Sequence, residues 1–191
     1  PEEGFVFCSF NNNFKFTEEM FSAWMRIVVA VPGSVLWLLA DNDTARANML
    51  ARAEAMGVAP ERLIFAPRVT PAEYLARFQL ADLVLDTFPY NAGTTASDAL
   101  WMGTPIVTRA GRTYISRMAG SLLTAVGLPD LVTENLADYE KLAITLGRQP
   151  ARVASYKRYL AEQGRQSPLF DLPRLVRDIE AEFERLAQAA R

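Results

Sequence analysis

The sequence contains no histidine among its 191 residues. Histidine is the commonest general base near neutral pH, a frequent metal ligand and a member of the Ser-His-Asp triad. Its absence excludes that triad and every histidine-ligated metal site from this chain. A general base for any reaction here must be another residue type or belong to a segment outside this chain.

Cysteine is almost as scarce, since Cys8 is the single one. One cysteine excludes an intramolecular disulfide framework and a zinc site built from cysteine alone. Cys8 lies in an apolar strand pattern, which favours a buried and unreactive thiol. No group of carboxylates has metal-ligand spacing, so we expect no bound metal.

Long apolar runs and an excess of positive charge are also missing. No run of about 18 or more apolar residues occurs, and the N-terminus lacks the basic-then-apolar pattern of a signal peptide. The formal net charge is −2 and the pI is about 5.3, which argues against a broad surface for nucleic acid. The chain begins with Pro1 rather than methionine. We therefore expect a fragment of a larger, cytoplasmic protein that binds neither membrane nor nucleic acid.

The sequence does contain a regular alternation of short apolar runs with amphipathic stretches, which is typical of βα units and a parallel sheet. Strands are predicted at residues 5–10, 34–40, 62–66, 82–86 and 104–108, with a short sixth strand at 130–132. Helices are predicted at residues 17–31, 44–56, 71–79, 94–102, 114–126, 135–147, 150–163 and 172–189. The stretch Thr70–Glu73 is a capping-box signature with proline at the first helical position, which marks one helix start.

The predicted strands are apolar on both faces, which indicates helices on both sides of the sheet. Right-handed crossovers then favour an α/β fold, a Rossmann-like doubly wound parallel sheet with strand order 3-2-1-4-5 plus the sixth strand. A flavodoxin-like order is the structural alternative. Because 50% of the residues are hydrophobic, we expect residues 1–191 to form a single domain. Strands and helices alternate to about residue 134, and a helical extension follows over 135–191.

The stretch from Asp86 to Pro105, DTFPYNAGTTASDALWMGTP, is the most informative part of the chain. An apolar strand ends at Asp86, a turn-rich loop follows, and a helix begins near Thr94 and Thr95. Hydroxyls and free backbone N–H groups at such a helix N-terminus are where open α/β sheets bind phosphate. Asp98, one turn later, could accept hydrogen bonds from a ribose diol. In the structural alternative, Thr95 caps the helix and the Asp98 carboxylate reaches back to it.

Other polar residues follow the remaining predicted strands at the same edge of the sheet. They are Asn11, Asn12, Asn13 and Lys15 after the first strand, Arg68, Val69, Tyr74 and Arg77 after the third, and Arg109, Arg112 and Thr113 after the fifth. Lys15 is the catalytic candidate, because a positioned cation stabilises the charge that develops on a leaving nucleoside diphosphate. A solvated lysine in a polar loop is the structural alternative. Tyr74 and Arg77 lie one helical turn apart, where they could contact a nucleobase or a phosphate, or simply pack.

Five segments in one colinear order resemble a known family. They are Ser9–Lys15, Pro32–Leu39, Arg62–Pro67, Asp86–Pro105 and Ser116–Ser121. Together they resemble the C-terminal catalytic half of the O-GlcNAc transferase (SPINDLY-like) family of glycosyltransferases, and the resemblance covers nearly the whole chain. It implies the UDP-sugar-binding domain of an inverting GT-B enzyme that requires no divalent metal. That enzyme would transfer N-acetylglucosamine from UDP-GlcNAc to Ser or Thr hydroxyls of proteins.

The resemblance also implies roles for individual residues. Lys15 matches the phosphate-contacting lysine of the family, and Asn12 matches the polar residue near it. Thr94 and Thr95 match adjacent threonines that bind the diphosphate. Asp98 matches the aspartate that binds the ribose.

Other positions match the family less closely. Tyr74 stands where the family usually has histidine, so its stacking on a nucleobase is inferred from shape. Arg77 would contact the base edge or a phosphate, and backbone groups near Val69 would contact uracil. Gly93 stands where the family usually has a histidine before the two threonines, and Pro71 replaces a frequently polar residue. A side chain close to the donor sugar is therefore absent.

Partners outside this chain are implied as well. The N-terminal half of the catalytic region would supply the acceptor-activating group, and a TPR superhelix would present the protein or peptide acceptor. The last predicted helix carries an apolar stripe of Leu175, Val176, Ile179, Phe183 and Leu186. This stripe packs either toward the other half of the two-domain enzyme or on this domain's own sheet. The isolated chain is expected to bind UDP weakly and to transfer nothing.

Gly93 keeps two alternative functions open. One is a UDP-hexose transferase with another sugar or acceptor, such as asparagine. The other is a non-catalytic nucleotide-binding or scaffolding module. A dinucleotide oxidoreductase is disfavoured, because asparagines rather than a G-x-G-x-x-G turn follow the first strand.

Overall fold

The computed structural model describes residues 4–39 and 42–189. Every predicted strand is present, and the sixth begins slightly later in the chain than predicted. The strands are β1 (Val6–Ser9), β2 (Val35–Leu39), β3 (Leu63–Ala66), β4 (Leu83–Leu85), β5 (Ile106–Arg109) and β6 (Val132–Thr133). Ala40, the last residue of the predicted second strand, lies outside the described residues.

All six strands form one parallel sheet in the order β3-β2-β1-β4-β5-β6. The predicted 3-2-1-4-5 order is confirmed, and the sixth strand pairs with β5. The flavodoxin-like order is wrong. In a sheet of this order, β2 and β3 lie on one side of β1, and the chain then crosses to add β4, β5 and β6 on the other side. This reversal opens a crevice at the carboxyl ends of β1 and β4.

Eight α-helices connect or follow the strands in the described part of the chain. They are α1 (Glu18–Ala30), α2 (Asp43–Ala55), α3 (Pro71–Leu80), α4 (Thr94–Trp101), α5 (Met118–Ala125), α6 (Leu136–Gly147), α7 (Pro150–Glu162) and α8 (Leu172–Ala189). The capping box predicted for the start of α3 is confirmed, with Thr70 and Glu73 each bonding the other's backbone N–H. Local hydrogen bonding thus fixes the first turn of a helix that later contributes to the site.

The helix predicted at 114–126 is divided in the structure. Ile115–Arg117 form a 3₁₀ turn, and α5 begins only after it. The Ser116 hydroxyl donates to the Thr113 carbonyl at 3.0 Å and accepts from the Thr113 N–H at 3.0 Å. These short-range hydrogen bonds compete with the α-helical pattern and tighten the turn.

The C-terminal extension has two structurally different parts. Helices α6 and α7 belong to the main core through buried side chains, namely Tyr139, Ala143, Leu146, Val153 and Leu160. The Tyr139 hydroxyl donates to the Asp86 carbonyl oxygen at 3.0 Å and accepts from the Trp24 indole N–H at 3.1 Å. This chain of hydrogen bonds links α1, α6 and the end of β4 beneath the rim of the sheet.

Helix α8, by contrast, has no buried residue. Its apolar stripe is between 46 and 67% exposed, and consists of Leu175, Val176, Ile179, Phe183 and Leu186. The alternative in which this stripe packs on the domain's own sheet is therefore wrong. Among the described helices, none combines the length and the apolar character that crossing a bilayer requires.

Candidate functional site

A cavity of about 350 Å³ opens at the carboxyl edge of the sheet. The loops after β1 and β3 and the helices α3 and α4 enclose it. Its lining consists of Phe10, Asn11, Asn12, Lys15, Leu39, Arg68, Val69, Pro71, Tyr74, Arg77 and Thr95. Six of the predicted site residues, distant in the sequence, therefore lie around one space: Asn12, Lys15, Val69, Tyr74, Arg77 and Thr95.

Lys15 is held in place by three neighbours. Its ammonium group donates to the Asn11 side-chain oxygen at 3.2 Å and to the Asn91 carbonyl oxygen at 3.3 Å. It also lies 4.3 Å from the centroid of the Tyr90 ring, within the range of a cation–π interaction. The interpretation of Lys15 as a freely solvated lysine is wrong, because it is half-buried at the cavity wall.

Asp86, at the end of β4, organises the loop beneath Lys15. Its carboxylate is 1% exposed and accepts hydrogen bonds from the Thr87 and Ala92 N–H groups at 2.8 Å and from the Thr108 hydroxyl at 2.6 Å. These bonds join the 86–92 loop to β5. The loop also contains the cis peptide bond between Phe88 and Pro89.

Burial sets the ionisation of this pair of groups. It raises the pKa of Asp86 to about 7, although the three hydrogen bonds and the nearby Lys15 lower it. It lowers the pKa of the Lys15 ammonium group, an effect that the charge of Asp86 opposes. The ionised carboxylate thus favours the charged form of the lysine at the cavity.

Helix α4 begins at Thr94 with Gly93 as its N-cap residue. The structural alternative in which Thr95 caps the helix is therefore wrong, since Thr95 lies inside the first turn. No side chain caps this helix, and the Ser97 N–H makes its first intrahelical bond, to the Gly93 carbonyl at 3.0 Å. The preceding N–H groups have no acceptor within the helix, which is the arrangement that binds anions.

Asp98 and Tyr74 meet beside the cavity across the contact between α3 and α4. Burial raises the pKa of the Tyr74 hydroxyl, and the nearby charge of Asp98 raises it further. Burial raises the pKa of Asp98, and the hydrogen bond from Tyr74 lowers it. The Tyr74 ring packs edge-on against Phe10 and Phe78, at centroid distances of 6.3 and 5.3 Å.

The remaining predicted residues have partners within the described part of the chain. The Asn12 side-chain oxygen accepts from Arg68 at 2.9 Å. Arg77 donates to the Pro67 carbonyl oxygen at 2.8 Å and lies 5.8 Å from the centroid of the Trp37 ring. These contacts fix the loop after β3, which carries the half-buried Val69 at the cavity.

Gly93 and Thr94 lie outside the cavity lining. Thr94 is exposed at the first position of α4. A Cβ atom built on Gly93 would meet the Met118 Cγ at 3.6 Å, an ordinary contact distance. Met118 belongs to a second, larger groove of about 840 Å³, whose rim carries Arg112 and Arg117. A side chain at position 93 would therefore approach the larger groove through Met118.

Sequence reasoning missed several residues around Lys15. Asp86 was recognised only as the end of a strand, and Tyr90 was not considered. The signal for Asp86 was a carboxylate directly after an apolar strand, where burial demands hydrogen-bond partners. Among the described residues, the buried Asn11 amide nitrogen and Asn91 amide oxygen lack hydrogen-bond partners. Such unpaired buried atoms are more usual at functional sites than elsewhere.

The described residues include no group of three or more Cys, Asp or Glu side chains that could hold a metal ion. The charged groups at the cavity are instead hydrogen-bond donors: the Lys15 ammonium group and the guanidinium groups of Arg68 and Arg77. Donors of this kind suit an anionic ligand. A Rossmann-like sheet with such a cavity at its strand-order reversal defines the class of nucleotide-binding α/β domains.

The chain belongs to glycosyl transferase family 41, whose model matches residues 1–179. It is 34% identical over 180 residues to the UDP-N-acetylglucosamine–peptide N-acetylglucosaminyltransferase of Caenorhabditis elegans. The aligned region covers 94% of this chain and 16% of that protein. It is also 34% identical over 184 residues to SEC of Arabidopsis thaliana, described as a probable enzyme of the same name, covering 96% of this chain and 19% of SEC. The chain thus spans less than a fifth of the length of these curated relatives.

Solved structures agree with this assignment. A mutant of the Thermobaculum terrenum O-GlcNAc transferase superposes with a TM-score of 0.89 at 31% identity, covering 98% of this chain and 38% of that one. Anabaena HepE, solved in complex with UDP and glucose, superposes with a TM-score of 0.64 at 16% identity, covering 95% of this chain and 48% of its own. At this low identity, the similarity to HepE is evidence for the fold only. The predicted family and GT-B-type fold are confirmed.

Proposed function

We propose that this chain is the UDP-sugar-binding half of a glycosyltransferase that transfers N-acetylglucosamine from UDP-GlcNAc to Ser or Thr hydroxyls of proteins. Membership of family 41 and the names of the relatives support this proposal. The observation that carries it is the convergence of Lys15 and Thr95, from the loop after β1 and the N-terminus of α4, on one cavity. A cation and a helix N-terminus facing one space match the charge of a diphosphate.

Each part of the donor then has a place along this edge of the sheet. The uracil lies near the Val69 backbone and the Tyr74 ring, and Arg77 steadies the loop that presents Val69. The ribose hydroxyls reach Asp98. The diphosphate lies between Lys15 and the first N–H groups of α4, with Asn12 beside it. The sugar projects past Gly93.

The chemistry required of this half is stabilisation of the leaving group. The acceptor oxygen forms a bond to the anomeric carbon as the bond from that carbon to the β-phosphate oxygen breaks, and the electron pair remains on UDP. Lys15 and the α4 N–H groups interact more strongly with the resulting charge than with the intact donor, so they lower the barrier. The acceptor proton passes to a base outside this chain. With these donors in place we propose that no divalent metal is required.

The acceptor and the remaining catalytic groups come from other segments in this proposal. A TPR region presents the protein substrate, and the N-terminal half of the catalytic region closes over the donor. The exposed stripe of α8 is directed to that half. The isolated chain would accordingly bind UDP but transfer nothing.

Calorimetric titration of UDP into the full-length protein tests the donor site. Replacing Lys15 or Asp98 by alanine should weaken binding by about tenfold or more, because each removes a charged hydrogen-bonding group. Lys141→Ala is the matched control, since Lys141 is an exposed lysine on α6. UDP affinity that is unchanged in both site variants would overturn the site, and no binding at millimolar UDP would favour a scaffolding module.

Turnover measurements with different donors test the sugar. We expect UDP-GlcNAc to be the preferred donor of the full-length protein, with serine or threonine as the acceptor. Efficient transfer from another UDP-hexose, or to asparagine, would instead support the alternative that Gly93 raises.

A further inference from the structure

Arg68 joins two loops at the wall of the cavity. It lies just after β3, and its guanidinium group donates to the side-chain oxygen of Asn12, in the loop after β1, at 2.9 Å. The two residues are 56 positions apart in the sequence, and both line the cavity. Their hydrogen bond therefore closes the part of the wall where these two loops meet.

Asn12 departs from the usual role of an asparagine at the start of a helical turn. It is the N-cap of the 3₁₀ turn Asn13–Lys15, and its backbone carbonyl accepts from the Lys15 backbone N–H at 3.0 Å. The side-chain oxygen of such an asparagine ordinarily accepts from a backbone N–H of the first turn. Asn42 and Asn135 make that bond at the starts of α2 and α6, at 3.0 and 2.9 Å. Asn12 makes no side-chain capping bond in the described part of the chain, because its oxygen is directed to the loop after β3.

The orientation of the Asn12 amide follows from the chemistry of its partner. A guanidinium group only donates hydrogen bonds, so the atom of Asn12 that faces Arg68 must be the amide oxygen. The nitrogen, with its two N–H donors, is then the part of the amide that is left for a ligand. Such donors suit phosphate oxygens, and the Lys15 ammonium group lines the same cavity. The bond to Arg68 thus selects the one of two amide orientations that favours an anion.

We propose that Arg68 is a positioning residue that turns the Asn12 amide N–H groups towards the diphosphate of the donor. This inference deepens the proposed function and rests on it. Arg68 acts through Asn12 in this role, so its contribution to binding requires the asparagine at position 12. It also acts on the phosphates and not on the nucleoside, so the affinity for uridine should not depend on it.

A double-mutant cycle in the full-length protein tests this role, with UDP affinity measured by calorimetry. Asn12→Ala should weaken UDP binding by about tenfold and Arg68→Ala by about fivefold, because these changes remove or misdirect donors to a charged ligand. The double variant should stay at about tenfold, whereas independent sites would give roughly fiftyfold. Arg68→Lys should recover part of the loss, because an ammonium group can still donate to the Asn12 oxygen.

Uridine provides a second readout, measured by its competition with UDP. Arg68 directly precedes Val69, so a bond that only holds the loops together would affect the uracil contact and weaken uridine and UDP alike. Positioning of Asn12 should weaken UDP alone.

The matched control is Arg148→Ala. Arg148 is an exposed arginine that donates to the Ala30 carbonyl at 3.0 and 2.7 Å, and neither residue lines the cavity. This variant should leave both affinities unchanged. Thermal unfolding should differ little among the variants, because the bond between Arg68 and Asn12 is exposed.

The outcomes distinguish this inference from the proposed function. If the losses from Arg68→Ala and Asn12→Ala add, or if Arg68→Ala leaves UDP affinity unchanged, the positioning role is overturned while the UDP site remains. Equal weakening of UDP and uridine by Arg68→Ala also overturns it and leaves a structural link between the loops. If the unmodified protein binds no UDP at all, the proposed function fails and this inference fails with it.

Discussion

The cavity at the carboxyl edge of the sheet and the stripe on α8 are opposite kinds of surface. At the cavity, side chains from separate loops are already fixed by contacts within the chain, as Lys15 is by Asn11 and Asn91. On α8 the apolar stripe is regular, yet its residues are about half exposed, as Ile179 is at 46%. The wall of the cavity is thus fixed by contacts within this chain, whereas the stripe on α8 is not covered by any of the described residues.

The difference arises from what lies beneath each surface. The cavity stands on the buried Asp86 network and on the hydrogen bonds from Trp24 to Tyr139 and from Tyr139 to the end of β4. Helix α8 follows the core helices without contributing to the core. Five predictions can break or sharpen this comparison, from the strongest expected effect to the weakest.

Replacing Lys15 by alanine should have the largest effect, and on activity rather than stability. Transfer by the full-length protein should fall by about 10²–10³-fold, the range seen when a single group that stabilises developing negative charge is removed. The melting temperature should change little, because Lys15 lies at the cavity wall and not in the core. Steady-state kinetics and thermal unfolding measure the two quantities, with Lys141→Ala as control. A parallel loss of activity and stability would mean that Lys15 is structural.

Replacing Asp86 by alanine should destabilise the fold itself. The Thr87 and Ala92 N–H groups and the Thr108 hydroxyl would lose their acceptor in a buried region. Unpaired buried donors cost about 1–3 kcal/mol each, so we expect a loss of about 3 kcal/mol or more. Denaturant unfolding measures it. A loss below about 1 kcal/mol would contradict the organising role of this carboxylate.

Asp86 also predicts a dependence of stability on pH. Its folded-state pKa of about 7 lies above the ordinary value of 3.8, so between these pH values the folded protein binds more protons than the unfolded one. The contribution of this group to stability is therefore full at low pH and is lost as the pH rises towards 7. Unfolding measured across this range should show that decline in the unmodified protein and a flatter profile in Asp86→Asn. Identical profiles would refute the assignment.

Tyr139→Phe should have an intermediate effect. It removes the hydroxyl that joins the Trp24 indole N–H to the Asp86 carbonyl and leaves both buried groups unpaired. The free energy of unfolding should fall by about 1–3 kcal/mol. Tyr159→Phe is a matched control, because that hydroxyl makes one part-buried bond to the Val126 carbonyl at 3.1 Å. Equal losses in the two variants would argue against a special role for the Tyr139 link.

Removing α8 should have the smallest effect on this chain. Because none of residues 172–189 is buried, the melting temperature of the remainder should stay within about 2 °C, as for changes at exposed positions. In the full-length protein Ile179→Asp should be more costly if another segment covers the stripe. A large loss of stability on removing α8 from this chain would show contacts with the core and would erase the contrast with the cavity.

The fold was largely predictable because its signals are local. These signals are the periods of the strands and helices, the capping box at Thr70, and Gly57, which ends α2 with a φ of +78°. Each of them depends only on neighbouring residues. The predicted start of α4 at residue 94 is also confirmed, although two local signals compete there. Gly93 has no side chain with which to mark an N-cap, whereas the sequence after Thr95 imitates a capping motif.

Six of the predicted site residues line the cavity, but the network of bonds around them was not predicted. Strand order places Lys15 and Thr95 at one edge, so their convergence followed from topology. The ring contact between Tyr74 and Phe10 depends on how α3 packs against the sheet, and the bonds of Asp86 depend on the path of a loop. Such contacts join positions far apart in sequence, and no local pattern encodes them.

Gly93 carries a consequence for how related chains can diverge. A Cβ atom built on Gly93 would meet only Met118 Cγ, at 3.6 Å, outside its own chain neighbours. The space around Gly93 therefore admits a small side chain, which would reach Met118 on the larger groove.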